Sequence, residues 1–150
     1  MDLTGEERIT APRDVVWAAL NDPEVLKQCI PGCQNLELKS PTELAATVKI
    51  KIGPVSATFN GEVTLSNIDA PASYTISGEG KGGIAGFAKG GADVTLKEDG
   101  DETILQYRAN AQVGGKIAQL GARLIDSTSQ KLAQQFFSDF NAAVSSKAAE

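Results

Sequence analysis

Cys29 and Cys33 frame the segment Cys29-Ile30-Pro31-Gly32-Cys33, and they are the chain's two cysteines. Two thiols at this spacing could bind a metal or form a disulfide. A metal site takes three or four protein ligands, however, and the 150-residue chain has no histidine and no third cysteine. A zinc site is therefore poorly supported, and a disulfide is disfavoured in a reducing compartment. The plainer reading buries Cys29 at the end of a short helix and uses Pro31-Gly32 to turn into the next strand. The missing histidine also removes the usual general base near neutral pH and the Ser-His and Cys-His nucleophile pairs. Acid–base chemistry would fall to carboxylates, lysines or tyrosines. The carboxylates stand in groups, Glu6-Glu7, Glu98-Asp99 and Asp101-Glu102, the last two around a turn where solvated charge is the default. Nothing marks an acid and a base paired across one site, so no catalytic residue and no metal ligand is assigned.

Gly78-Glu79-Gly80-Lys81-Gly82-Gly83 formally matches G-x-G-x-x-G. A dinucleotide site needs those glycines in a strand-to-helix turn of a parallel βαβ unit. This segment falls between two antiparallel strands, and no Gly-Lys-Ser or Gly-Lys-Thr follows it, so no cofactor is assigned. Strand bulges and a mobile loop from Gly78 to Gly91 are the better reading, with Lys81 and Lys89 supplying charge for a partner. Trp17, Phe59, Phe87, Tyr107, Phe136, Phe137 and Phe140 could line an apolar pocket or simply fill a core.

The element that must position these groups is the last one. Ile117, Leu120, Leu124, Ile125, Leu132, Phe136, Phe140 and Val144 recur at three- and four-residue steps, which predicts one amphipathic helix from about Lys116 to Lys147. Such a helix would run roughly 45 Å and needs a large apolar surface to lie on. Two positions on its stripe, Gly121 and Thr128, are small or polar. Close packing requires that volume to be filled by the opposing element, by collapse or by a guest. A bulky strand residue and a bound ligand both remain open there.

Upstream, Leu3 to Thr10 reads as a strand. Pro12 then opens a short helix carrying Val15, Val16, Trp17 and Leu20, and Asp22 caps a second that starts at Pro23 and stops near Cys29. From Gln34 the period changes to two. Leu44, Ala46, Val48, Ile50 and Ile52 alternate with polar or small neighbours, as do Val55, Ala57, Phe59, Gly61, Val63 and Leu65 after the Gly53-Pro54 turn. A strand through Tyr74 and Ile76, another from Gly86 to Leu96, the Asp99-Gly100 turn and a strand from Ile104 to Val113 follow. The pattern predicts a single α+β domain over residues 1–150: a curved antiparallel sheet of about seven strands wrapped on one long C-terminal helix, with two short helices after the first strand as a plug or lid.

Net charge is −5 with scattered basic residues, which removes the footprint of a nucleic-acid binder. No apolar run reaches bilayer-spanning length and the start lacks a signal peptide, so the expected location is cytoplasmic.

Pro12, Val16-Trp17, Leu20-Asn21-Asp22-Pro23, Cys29-Ile30-Pro31-Gly32-Cys33 and Gly86-Phe87-Ala88-Lys89-Gly90 resemble the carbon monoxide dehydrogenase G-subunit family, part of the START-like (SRPBCC) helix-grip superfamily. The similarity spans essentially the whole chain. It implies a domain that holds an apolar small molecule between sheet and long helix, and an accessory role beside molybdenum-containing carbon monoxide dehydrogenases and related hydroxylases. Many relatives continue past the helix to a membrane-binding tail. The sequence here runs to Glu150, so the expectation is weak peripheral contact at the inner face of the membrane rather than stable anchoring.

The leading expectation is a non-enzymatic carrier or accessory protein for a lipid-like or quinone-like ligand. Its site residues are Val48, Ile50, Phe59 and Tyr107 on the sheet and Gly121, Leu124, Thr128, Leu132 and Phe136 on the helix, with Lys81 and Lys89 as partner-binding residues. One alternative is a protein-interaction or assembly module without ligand, docking through the Gly78 to Gly91 loop. Another is a cyclase- or hydratase-like enzyme using Tyr107 with a carboxylate.

Overall fold

The structure is a computed structural model that describes residues 2–148; Met1, Ala149 and Glu150 lie outside it. Seven strands form one antiparallel sheet: β1 (Asp2–Ile9), β2 (Cys33–Ser40), β3 (Glu43–Ile52), β4 (Val55–Asp69), β5 (Ser73–Lys81), β6 (Phe87–Asp99) and β7 (Glu102–Gly114). Their order is β1-β7-β6-β5-β4-β3-β2. Every neighbour after the β1–β7 pair is a sequence neighbour, as short hairpin turns require. Helices α1 (Arg13–Leu20) and α2 (Pro23–Cys29) fill the connection between the two edge strands, and α3 (Ala122–Ala148) comes last. The strand number, the two early helices and the long final helix are as the periodicity predicts.

The short helices begin and end for local reasons. The Asp22 side chain accepts from the Glu24 N–H at 3.0 Å, with Pro23 in the first helical position. Asn21 closes α1 by donating its side-chain amide to the Trp17 carbonyl at 2.9 Å. Both helices turn apolar residues inward. Val16, Ala19, Leu20, Val25 and Cys29 are buried.

The final helix differs from its expected bounds. Lys116–Leu120 is a separate 3-10 turn, and α3 starts at Ala122. Gly121 sits between them at φ 94, ψ 152, a conformation open essentially to glycine alone. The apolar stripe continues through both pieces, which is why spacing alone reads them as one element.

The two pieces bury different cores. Phe140 and Val144, in the second half of α3, are 0% exposed and join Ile9, Val16, Leu20, Leu96 and Leu105 in the main cluster. That half of α3 is also fastened to the end of β1, where the Thr10 N–H donates to Asn141 Oδ1 at 2.9 Å. Thr103 is the buried polar side chain of this core, and its hydroxyl donates to the Ala11 carbonyl at 2.8 Å. Ile117 of the 3-10 turn instead packs with Phe59 and Ala85 in a second cluster at the opposite end of the sheet. The space between sheet and helix is thus closed at each end by its own core.

Candidate functional site

The inner face of the sheet follows from register. Leu44 pairs with Val63, Leu65 with Ile76, Ile76 with Ala92, Tyr74 with Val94, Val94 with Tyr107, and Leu96 with Leu105. Because side chains alternate across a strand, these residues line one surface. Their sizes are uneven: Ala46 and Ala92 stand among Leu, Val, Ile and Tyr neighbours. A cavity of about 330 Å³ lies over them.

Three further elements enclose that cavity. Leu20 of α1 and Asn21 just after it, with Leu26 of α2 and Ile30 just after that helix, form the roof at one end. Phe136 and Phe137 on the second half of α3 form the rest of the roof. Leu36 and Leu38 of edge strand β2, with Pro41, make the side wall, and Leu38 is 47% exposed, so the cavity opens along this edge. The lining is almost wholly apolar. Its polar members are Asn21, Tyr74 and Tyr107.

The aromatic groups hold one another in place. Tyr107 lies parallel to Phe137 with ring centroids 5.3 Å apart, and Phe136 meets Phe137 edge-on at 5.1 Å and stacks on Phe140 at 5.6 Å. Tyr107 reaches sideways over β1. A side chain at Gly5 would stand 2.4 Å from its hydroxyl and would push this ring aside. Tyr74 is met edge-on by Trp17 at 5.1 Å. Burial pushes the Tyr74 phenol up from its ordinary range. Burial does the same to Tyr107, with the negative charge of Glu7 adding to it. Both therefore stay neutral hydroxyls near physiological pH.

Of the expected site residues, the structure brings Tyr107 and Phe136 into this cavity. The others sit elsewhere. Phe59 is in the second core cluster, with Ile50 packed against it. Val48 is the register partner of Phe59 and half-buried. Leu124 leans on the Gly53 turn, where a side chain would come within 2.9 Å of it. Gly121 is exposed and is the chain break described above, with open space around its Cα rather than a packed gap. Thr128 and Leu132 are half-buried on α3 and fall outside the cavity lining. The physical reason is common to all: the first turns of α3 pack toward the β3–β4 end of the sheet, where side chains already fill the space. The empty volume lies instead under α1, α2 and the phenylalanines. Phe137 stood among the aromatics that could line a pocket, whereas Leu20, Tyr74, Ile76, Ala92 and Val94 were missed because no motif marks them. The alternation through Tyr74 and Ile76 was the available signal.

Lys81 and Lys89 are exposed and flank the loop between β5 and β6, whose 3-10 turn Gly83–Ala85 presents Ile84 at 92% exposure and is followed by Phe87 at 43%. They lie apart from the cavity. A polar groove of about 1010 Å³ crosses the outer face of the sheet, lined by such residues as Glu62, Thr75, Lys89, Asp93 and Arg108. It is open and charged, and offers no enclosure for an apolar molecule.

Both cysteines are free thiols, Cys29 buried and Cys33 partly so. No group of three or more possible metal ligands occurs among the described residues. No helix among them is long and apolar enough to cross a membrane.

Residues 5–145 match the family described as the G subunit of carbon monoxide dehydrogenase (CoxG). No curated protein sequence matches the chain. Among solved structures, a conserved protein of Geobacillus kaustophilus is similar at 28% identity and a TM-score of 0.91, over 97% of this chain and 96% of its own. A START superfamily protein of Mycobacterium smegmatis is similar at 14% identity and TM-score 0.72, over 95% and 96% of the two chains. An aromatase/cyclase of a Streptomyces species reaches 13% and 0.67, over 96% and 93%. At those last identities the likeness is one of fold.

Proposed function

Because the chain belongs to the carbon monoxide dehydrogenase G-subunit (CoxG) family, we propose that it binds an apolar small molecule, lipid-like or quinone-like, without transforming it. In this reading it serves as a carrier or accessory protein for a molybdenum-containing hydroxylase of the carbon monoxide dehydrogenase type. It would work on the cytoplasmic side, with weak peripheral contact at the inner face of the membrane.

The observation that carries the proposal is the apolar cavity of about 330 Å³ under α1, α2 and the Phe136–Phe137 pair. Cavities of this size and lining favour apolar guests, and a few placed polar groups fix their orientation. Binding rather than turnover is favoured by the chemistry of the lining. Its ionisable groups are Tyr74 and Tyr107, both held neutral by burial, with no carboxylate, lysine or histidine to trade protons with them.

The test is mass spectrometry of an organic-solvent extract of the purified protein beside an Ala92→Phe variant. Ala92 lines the cavity floor, and a ring there fills the space a guest would occupy. We expect one stoichiometric compound in the wild type and its loss from a variant whose urea midpoint shows it folded. A clean wild-type extract from a host that makes lipids and quinones would sink the proposal, as would full retention in the variant.

A second reading is favoured by the exposed Ile84. In that reading the loop between β5 and β6 docks on the partner enzyme through Ile84, Lys81 and Lys89. Replacing both lysines by Glu should then abolish co-purification with the hydroxylase while leaving the extracted compound in place. Intact association would exclude this loop as the docking surface.

A further inference from the structure

Tyr74 carries a feature that the proposed binding role leaves unexplained. It is 4% exposed, it lines the cavity, and its hydroxyl makes no hydrogen bond with any of the described residues. Among those residues, the sealed side-chain polar atom without a hydrogen-bond partner is Arg13 Nε. The Tyr74 hydroxyl is therefore not sealed in. It opens on space that a water or ligand atom can enter. Buried polar groups in native proteins have partners almost without exception, so a hydroxyl facing apolar walls marks where a partner arrives.

The surroundings define that partner. Trp17 holds the Tyr74 ring edge-on, at 5.1 Å and 76°. The Trp17 carbonyl also takes the Asn21 side-chain N–H at 2.9 Å, which brings Asn21, another lining residue, to the same end of the cavity. A neutral phenol is foremost a donor, and Asn21, with one amide N–H given to the Trp17 carbonyl, keeps a second N–H and its oxygen. No lysine or arginine lines the cavity. A carboxylate drawn in here would lose its hydration without a countercharge. Tyr107 and Phe137, both in the lining, stack on each other with ring planes 21° apart.

We infer that Tyr74 selects the ligand of this cavity, donating its hydroxyl to a neutral oxygen acceptor on an otherwise apolar molecule, and that ionised acids are turned away. The inference rests on the reading of the cavity as a ligand site and goes beyond it by separating neutral carbonyl compounds from hydrocarbons and from fatty-acid-like anions. Because burial raises the Tyr74 phenol, the donor keeps its proton throughout the physiological range.

Three probes on one ring frame test it: acetylnaphthalene, isopropenylnaphthalene, in which a methylene replaces the carbonyl oxygen, and naphthoate. Each is titrated into the wild type and into Tyr74→Phe at pH 8, followed by calorimetry, with the urea midpoint of the variant as the check on folding. One neutral hydrogen bond corresponds to a preference of roughly fivefold to tenfold. The wild type should show that preference for the ketone over its hydrocarbon isostere. Tyr74→Phe should bind both equally, and naphthoate should bind neither protein measurably. An infrared shift of the ketone carbonyl to lower frequency in the wild-type complex reads the same contact without a variant. Equal binding of ketone and isostere by the wild type leaves the ligand site standing and overturns the role of Tyr74. So does a ketone preference that survives Tyr74→Phe, or naphthoate binding as tight as the ketone. Failure of all three probes to bind the wild type overturns the ligand site, and the inference with it.

Discussion

Gly121→Ala distinguishes a continuous final helix from the interrupted one by the sign of its effect. If the helix ran unbroken from Lys116, residue 121 would be helical, and alanine there would stabilise the protein by about 0.5–1 kcal/mol over glycine. In the structure Gly121 has φ 94 and ψ 152, and nothing lies within 4 Å of an added Cβ. The cost is therefore free of steric contact with neighbours and comes from the backbone conformation alone, about 1–3 kcal/mol for a non-glycine residue in that region. Against it stands about 0.4–1 kcal/mol from restricting the unfolded chain. The net, taken from the middle of each range, is a loss of about 1.3 kcal/mol, with extremes of about 0 and 2.6. At about 2–4 °C per kcal/mol for a chain of this size, the thermal midpoint falls by several degrees. Urea denaturation measures it directly, as a lower midpoint at unchanged slope. Gly100→Ala is the internal standard, since Gly100 also has positive φ (63) and open surroundings. A stabilised Gly121→Ala, with Gly100→Ala destabilised as expected, would refute the break at Gly121.

Thr103→Val keeps the shape of a fully buried side chain and leaves the Ala11 carbonyl without its donor, so a loss of about 1–3 kcal/mol is expected by urea denaturation. Phe140→Ala should cost about 3–5 kcal/mol, because this 0% exposed ring anchors the second half of α3; half-buried Leu124→Ala should cost distinctly less, and the reverse order would mean the helix is anchored by its first half. The raised phenol of Tyr74 favours folding while protonated. That contribution is complete below the unfolded value of about 10 and is lost as pH rises from there through the folded value. Stability of the wild type should consequently fall above about pH 10 more steeply than that of Tyr74→Phe, and parallel profiles would remove Tyr74 from the account.

The fold was legible because its signals are local and periodic. Leu44 to Ile52 and Val55 to Leu65 alternate cleanly, and a turn at Gly53-Pro54 leaves antiparallel pairing as the short connection. The Asp22 cap and Pro23 announce α2 one residue before it begins. The cavity was legible only in part. Tyr107 and Phe136 could be nominated because large aromatics on two facing elements must meet something. Gly121 and Thr128 drew attention to a stretch that lies away from this cavity, since small residues on an apolar stripe look like missing volume whether they border a void or end a helix. The spaces that matter come from Ala46 and Ala92. Alanine in a strand carries no such mark, and its significance depends on how far away the roof lies.

Composition and spacing by themselves determined the element order, the antiparallel sheet, the two early helices and the absence of histidine chemistry, because each depends on residues near one another in the chain. Tertiary structure decided where the sheet and its cover part company. That depends on how the first turns of α3 settle against the β3–β4 end, on how α1 and α2 roof the other, and on which of the two tyrosine hydroxyls is left facing the gap. A void is the difference between two surfaces built from residues more than a hundred positions apart, such as Leu20 and Phe137, and close packing makes its place sensitive to every side chain between them. No short stretch of sequence contains that difference.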